Sequence, residues 1–519
     1  MNILSLTNSP KAKLLFIGCA FLLLIRIPFF ATQHIQEDAY IYFRCADTIA
    51  SHGLYSYNIH DRVSACTSHL YSFIVASTKL LFGENLFIYA TLVLNSILLI
   101  FGIYLIIASL TDNSRKKTVL WILSSMSPAA LVVSYTGMET SLLIFCIGSI
   151  LFCLERKALR WALYLSLSTL PWIRPDAIII GGIIIGLTWI KRRKIDLPMA
   201  GSFIVGMATV SLFNILYFGA LIQQTITAKM VAYHPDHTLS DILHSIGRVF
   251  LGEAGMPGFF LPLSTKFIAP FGWVFALIYG FVFVYFLKTK QQEKNSYYTI
   301  VILISLTLLP PIVYAAGGVI FPWYFWPSQL MGIIVLTHVL LTLLFEKYTN
   351  HRHAILSCLV LISALIATGQ FLLSLNWGMQ EGTYRKSIGM YLRSISQPGD
   401  TVMLEPIGYI PYFSRLTVHD EIGLASPRVT EYRKKYGPKW WIIYIQDIQP
   451  TFLVERSHIK EYKTLDGYTL TDDEKKYFDS HYSLVKVFTY NPKNFTSNQF
   501  VLTILSHGLA ADYYVFKKK

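Results

Sequence analysis

Two adjacent carboxylates, Glu37 and Asp38, open the segment Glu37-Asp38-Ala39-Tyr40-Ile41-Tyr42-Phe43-Arg44 shortly after a long apolar run. Ala39, Phe43, Ala46 and Ala50 recur at helical spacing, so the segment reads as an amphipathic surface helix with both acids in its first turn. The helix dipole favours the ionised form there, and an ionised carboxylate can take the proton of an attacking hydroxyl. The plainer role for Asp38 is a cap of the first turn. Glu37 and Arg44 lie two turns apart on one face, so Arg44 is either a partner of Glu37 or a cation for an anionic ligand. Glu139, the turn Arg174-Pro175-Asp176, and Lys229 are further ionisable residues at the edges of apolar stretches. Such groups are costly in an apolar layer and are therefore functional candidates. Arg174 reads equally as an arginine snorkelling to an interface, and Lys229 as a solvated surface lysine.

The elements that position these residues follow from composition. The chain of 519 residues is 54% hydrophobic, 15% aromatic and only 14% charged, with a mean hydropathy of +0.48. Soluble domains carry about a quarter charged residues, so a cytosolic enzyme, a disordered chain and a nucleic-acid-binding domain are all excluded. The net charge of +14 resides largely in short basic loops between apolar runs, the orientation signal of a membrane protein. Charged residues make up about 11% of residues 1–374 and about 23% of residues 375–519. A polytopic membrane body (1–374) and a soluble domain (375–519) are the expected organisation.

Lys11 and Lys13 precede the apolar run Leu14–Ala31, which lacks a small-residue cleavage site and reads as a first span. Candidate crossings follow at 86–109, 118–135, 138–154, 161–173, 176–190, 197–217, 266–287, 297–316, 327–345 and 354–374. With the basic loops around Arg115–Lys117, Arg156–Arg160, Lys191–Lys194, Lys288–Lys290 and Lys347–Arg352 inside, eleven helices start in the cytoplasm and end outside it. Ser68–Leu81 is expected as a helix along the outer face. The loops bearing Asp38, Glu139, Arg174 and Lys229 then share the outer side with the tail. The tail reads as α/β: a helix over 382–396, strands at 401–404, 415–418, 451–454 and 484–490, and a helix over 429–436.

The first-loop segment, with Asp61-Arg62-Val63 and Thr67, resembles the first outer loop of bacterial GT-C-type membrane glycosyltransferases. It is most similar to the cell-wall terminal arabinofuranosyltransferase family. Thr136-Gly137-Met138-Glu139-Thr140, Arg174-Pro175-Asp176, Thr225 with Ala228-Lys229, and Gly408, Tyr412, Asp420 and Gly423-Leu424 continue the likeness in order. The resemblance implies transfer of a sugar from a polyprenyl-phosphate donor to a glycan, glycolipid or protein, with inversion, at the outer face of a bacterial cytoplasmic membrane. It implies Asp38 as catalytic base, with Glu37 next in line. Arg44, Arg174 and Lys229 would hold the donor phosphate, and Glu139, Asp176 and Tyr40 would contact substrate. Membrane lipids are the surroundings, and no nucleic acid is involved.

No cofactor is required on this reading. Glu139 and Asp176 could share a divalent cation, but their spacing builds no dedicated cage, and no metal site is assigned. Relatives carry an arginine near Tyr324 that this chain lacks; here Phe321–Pro327 forms an aromatic interface belt. Cys45 and Cys66 stand where relatives have aromatic residues, and an extracytoplasmic loop permits a disulfide between them. The alternative function is a transporter or flippase of lipid-linked sugars. It would favour broken helices with mid-bilayer charges in two repeated halves, whereas the charges here gather at one face and no repeat is evident.

Overall fold

A computed structural model describes residues 10–59, 61–156, 159–233, 238–251, 272–288, 294–318, 321–347, 352–491, 493 and 511–519. The start of the expected 266–287 span, and Lys157 and Lys290 of the basic loops, lie outside them. The chain forms two compact units. The first comprises Met1–Ala31, Tyr89–Val210 and Pro235–Phe371; the second comprises Thr32–Ile88, Ser211–His234 and Leu372–Lys519.

The first unit is helical throughout its described residues. Across the chain, five described helices are long and apolar enough to cross a membrane, or six if one bent pair counts as a single span. The expected eleven crossings are therefore not all matched by helices of spanning length. Thr140–Arg156, Arg160–Ile173 and Ala177–Arg192 have 17, 14 and 16 residues, short of the ~20 a perpendicular span needs. The expected span 118–135 is two helices, Ser114–Ser125 and Pro128–Tyr135, bent by 61°. The local sequence explains the break: Pro128 occupies the first turn of a new helix, and the Ser127 hydroxyl caps it by accepting from the Ala130 N–H. Gly148 and Gly206 allow close helix approaches in this unit, because a Cβ there would stand 2.5 Å from the Gly102 carbonyl oxygen and 2.1 Å from that of Ser168.

The second unit carries the Glu37–His52 helix, the Gln224–Tyr233 helix and a five-stranded sheet. The expected Ser68–Leu81 helix is the first part of His69–Leu110, interrupted at Gly83 with φ 71° and ψ 176°. Lys79 and Arg415 each ion-pair with both Asp47 and Glu84, tying the Glu37–His52 helix to its neighbours within the unit.

The strands are β1 (Thr401–Leu404), β2 (Thr417–Asp420), β3 (Phe452–Arg456), β4 (Tyr482–Phe488) and β5 (Tyr513–Lys518). Their order is β2-β1-β3-β5-β4. The first three are parallel, with Leu404 paired to both Asp420 and Val454, and β5 runs antiparallel to β3 and β4. β2 begins two residues later than its apolar run suggests. Arg415, at φ 63°, is the left-handed C-cap of the short Tyr409–Ser414 helix and so cannot start a strand. Met403 and Leu453 pack with Trp441, Ile445 and Phe478 into the sheet's core.

Candidate active site

Glu37 and Asp38 both lie in the first turn of the Glu37–His52 helix, whose N-cap is Gln36. Their surroundings separate them. Glu37 is buried, and one carboxylate oxygen accepts from the N–H groups of Gly408 (2.7 Å) and Tyr409 (2.9 Å). Its other oxygen accepts from Arg385 Nη1 at 2.7 Å. With three donors on its two oxygens Glu37 acts as a clamp, tying the helix start to the 408–409 turn and to Arg385, a position unlike that expected of a residue next in line as base. Gly408 is dictated by this clamp, because a Cβ there would stand 2.1 Å from the Glu37 carbonyl oxygen and 2.6 Å from Oε1. Asp38, its neighbour, is only half-buried.

Arg44 does not pair with Glu37. It is buried and donates to the carbonyls of Tyr57 (2.9 Å), Pro411 (2.9 Å) and Leu416 (2.6 Å), and to Asn58 Oδ1 (3.3 Å). Its guanidinium also lies 4.4 Å from the centre of the Tyr57 ring. Four of its five N–H donors are spent on carbonyl oxygens inside the unit, which departs from its expected place at a phosphate. Tyr40 is corrected for a similar reason. It is 5% exposed and packs on Tyr409, Tyr412 and Phe413, with ring centroids 4.1–5.6 Å away. It therefore belongs to the core.

Lys229 sits on the Gln224–Tyr233 helix, half-buried and four residues before Tyr233, so the two share a face. Gln224 fixes this helix by donating to the Gly423 carbonyl (2.8 Å) and to Thr430 Oγ1 (2.9 Å). Burial and the charges of Glu405, Asp420 and Asp38 hold the Tyr233 phenol protonated, well above the ordinary tyrosine range. The Cys45 and Cys66 thiols are buried and face each other at 3.1 Å.

The first unit holds Glu139, Arg174 and Asp176 together. The helices Arg160–Ile173 and Ala177–Arg192 form a hairpin with Arg174-Pro175-Asp176 at its turn. Arg174 donates to Asp176 Oδ1 (2.9 Å), Glu139 Oε1 (3.2 Å) and the Tyr314 hydroxyl (3.2 Å). Its guanidinium lies 5.2 Å from the centre of the Tyr324 ring, and Tyr324 in turn stacks on Tyr314. The cation missing from the sequence near Tyr324 is thus supplied in space by Arg174. Glu139 and Asp176 neutralise this guanidinium in the structure. Glu139 Oε2 is buried and makes no hydrogen bond among the described residues. Beside the cluster lies a narrow cleft, lined by Leu143, Ile147, Ile180, Leu306, Met331 and, next to Arg174, Asp176 with Tyr314 and Tyr324.

Sequence reasoning missed Arg385, Glu405, Arg456, Tyr233 and Tyr314. Glu405 and Arg456 had a signal, since each stands at the carboxyl end of an apolar strand-like run. Arg385 and Tyr314 had none, because their partners are distant in sequence.

A family profile described as "Domain of unknown function (DUF8728)" matches residues 375–510. A comparison with curated proteins finds no match. Among solved structures, the chain is similar to ArnT from Cupriavidus metallidurans bound to undecaprenyl phosphate, with a TM-score of 0.51 and 11% identity over 86% of this chain and 93% of that one. The apo form of the same protein gives 0.54 and 12%, over 87% and 94%. The Archaeoglobus fulgidus oligosaccharyltransferase tethered to an acceptor peptide gives 0.57 and 12%, over 97% and 88%. At this identity the likeness shows a shared fold and nothing finer, and together with the apolar helices it makes the chain a multi-pass membrane protein.

Proposed function

We propose that this chain is an integral-membrane glycosyltransferase that moves a sugar from a polyprenyl-phosphate donor to a hydroxyl of a lipid-linked, glycan or protein acceptor. The observation that carries the reading is a fold shared over most of the chain with two transferases, one of them holding undecaprenyl phosphate. In this reading Asp38 is the base. It takes the acceptor proton as the acceptor oxygen bonds to the anomeric carbon. The bond from that carbon to the phosphate oxygen breaks on the opposite face, and the lipid phosphate leaves with the electron pair. Attack opposite the leaving group inverts the anomeric centre.

The sequence resemblance is what assigns Arg174 and Lys229 to the lipid phosphate, whose developing negative charge is stabilised most effectively by preorganised donors in a water-poor site. Glu139 and Asp176 hold Arg174 in place before substrate arrives. The disposition of basic loops supports an orientation with Asp38 and the tail on the outer side, and the sequence resemblance makes the membrane a bacterial cytoplasmic one.

The test is transfer from a panel of polyprenyl-phosphate sugars by the purified protein in lipid nanodiscs. Asp38→Asn lowers turnover roughly a thousandfold while donor binding survives. Retention of transfer by Asp38→Asn overturns the base assignment. Sugar-lipid translocation that persists in Asp38→Asn, with no transfer in the wild type, supports a flippase instead.

A further inference from the structure

The sheet of the second unit reverses its winding at one place. From β1 the chain turns through the Tyr409–Ser414 helix to β2 on one side. From β2 it returns through the Pro427–Tyr436 and Trp440–Ile448 helices to β3 on the other side of β1. The two crossovers therefore part between β1 and β3. Such a switch point leaves a crevice outside the carboxyl ends of the two strands, where open α/β sheets bind ligands.

Charged side chains occupy that place. Glu405 directly follows β1, Arg456 ends β3, and the two form an ion pair. Neither is sealed in: their side chains are 20% and 32% exposed. Arg456 Nε is a buried donor without a hydrogen-bond partner. Within the same unit, Glu405 lies in electrostatic reach of Arg385 and Glu37, and Tyr233 in reach of Glu405, Asp420 and Asp38. The crevice and the base of the proposed reaction thus share a neighbourhood inside one compact unit.

The charges select the ligand class. An anion meets the carboxylates of Glu405 and Asp38, and a cation meets Arg456 and Arg385. A neutral polyhydroxylated ligand suits both: Glu405 accepts from its hydroxyls, and Arg456 and the Tyr233 hydroxyl donate to its oxygens. We infer that the crevice at the carboxyl ends of β1 and β3, built from Glu405, Arg456 and Tyr233, is the subsite for a neutral sugar of the acceptor. This deepens the transferase reading and depends on it for calling the sugar an acceptor.

The experiment is saturation-transfer NMR on the full chain in nanodiscs, with methyl glycopyranosides and methyl glycofuranosides as probes. The wild type and Asp38→Asn are expected to bind one or more of them, and Glu405→Gln and Arg456→Gln to bind about fivefold more weakly. Arg456→Lys, which keeps the ion pair and fold, is expected to weaken binding less than Arg456→Gln. Thermal melting in the same nanodiscs identifies any variant that has lost its fold, and the comparison then rests on Arg456→Lys and Glu405→Asp. Absence of glycoside binding by the wild type, or equal binding by folded Glu405 and Arg456 variants, overturns the subsite. Binding that follows this pattern without sugar transfer from any donor upholds the subsite and overturns the transferase.

Discussion

At the scale of single residues, adjacent identical charges have divergent fates. Glu37 and Asp38 are neighbouring carboxylates in one helical turn, yet Glu37 is buried against two backbone N–H groups and Arg385. Glu37→Ala strands these donors, and a loss of about 3 kcal/mol follows from leaving buried polar groups unpaired. Thermal scanning of the purified protein should show a clear fall in melting temperature for Glu37→Ala and none for Asp38→Asn. The reverse order would remove the clamp. Arg174→Lys keeps the charge but loses the fork that reaches Asp176, Glu139 and Tyr314 together. It is expected to raise the donor KM by about tenfold with a smaller change in kcat; an unchanged KM would detach Arg174 from the donor. The motif types were legible in sequence here. The division of labour was not, because Gly408 and Arg385 are more than 340 residues from Glu37.

At the scale of elements, the Glu37–His52 helix is positioned by contacts along its whole length. Glu37 holds the 408–409 turn, Arg44 holds the 411–416 segment, and Asp47 joins Lys79 and Arg415. Gly408→Ala places a methyl group into the Glu37 main chain and carboxylate. Melting temperature and transfer should both fall, by more than for a glycine-to-alanine change at the exposed helical Gly182, where a Cβ meets nothing. Cys45 on this helix faces Cys66 at 3.1 Å. In membranes alkylated before solubilisation, an oxidising compartment should leave both sulfurs unlabelled until a reductant is added; labelling of both beforehand rules out a bond between them. The amphipathic periodicity that announced this helix was legible because a helix face is local. Its burial was hidden, because the residues that cover it come both from the 57–87 segment and from the distant tail.

At the scale of the whole molecule, the tail's stability is coupled to pH through a buried acid pair. Glu421 and Glu455 are each 2% exposed and both accept from Trp441 Nε1, at 3.0 and 3.1 Å. Burial and their mutual repulsion push Glu421 well above the ordinary carboxylate range, and burial raises Glu455 as well. The folded state therefore holds a proton that the unfolded chain releases near pH 4.5. The associated stability is complete below that pH and is lost as pH rises through the raised folded values. Melting temperature should decline from pH 5 to 8, and Glu455→Gln, which needs no shared proton, should flatten that decline. A wild-type slope that Glu455→Gln leaves unchanged would exclude the pair as its source. Sidedness is testable at the same scale by reporter fusions at residues 113, 193 and 380, with the first two expected inside and the third outside.

The sequence by itself determined a membrane body with a more polar tail, since apolar composition and loop charge decide partition between lipid and water without reference to any contact. It also determined the Arg174-Pro175-Asp176 turn and the helix carrying Asp38, both of which are local patterns. Only the tertiary structure decided that Arg44 and Tyr40 are interior supports, that Arg174 sits over Tyr324, and that Glu405 meets Arg456 at the parting of two crossovers. Whether a charged side chain is available to a ligand depends on which donors and acceptors it has already met, and those arrive from distant parts of the chain.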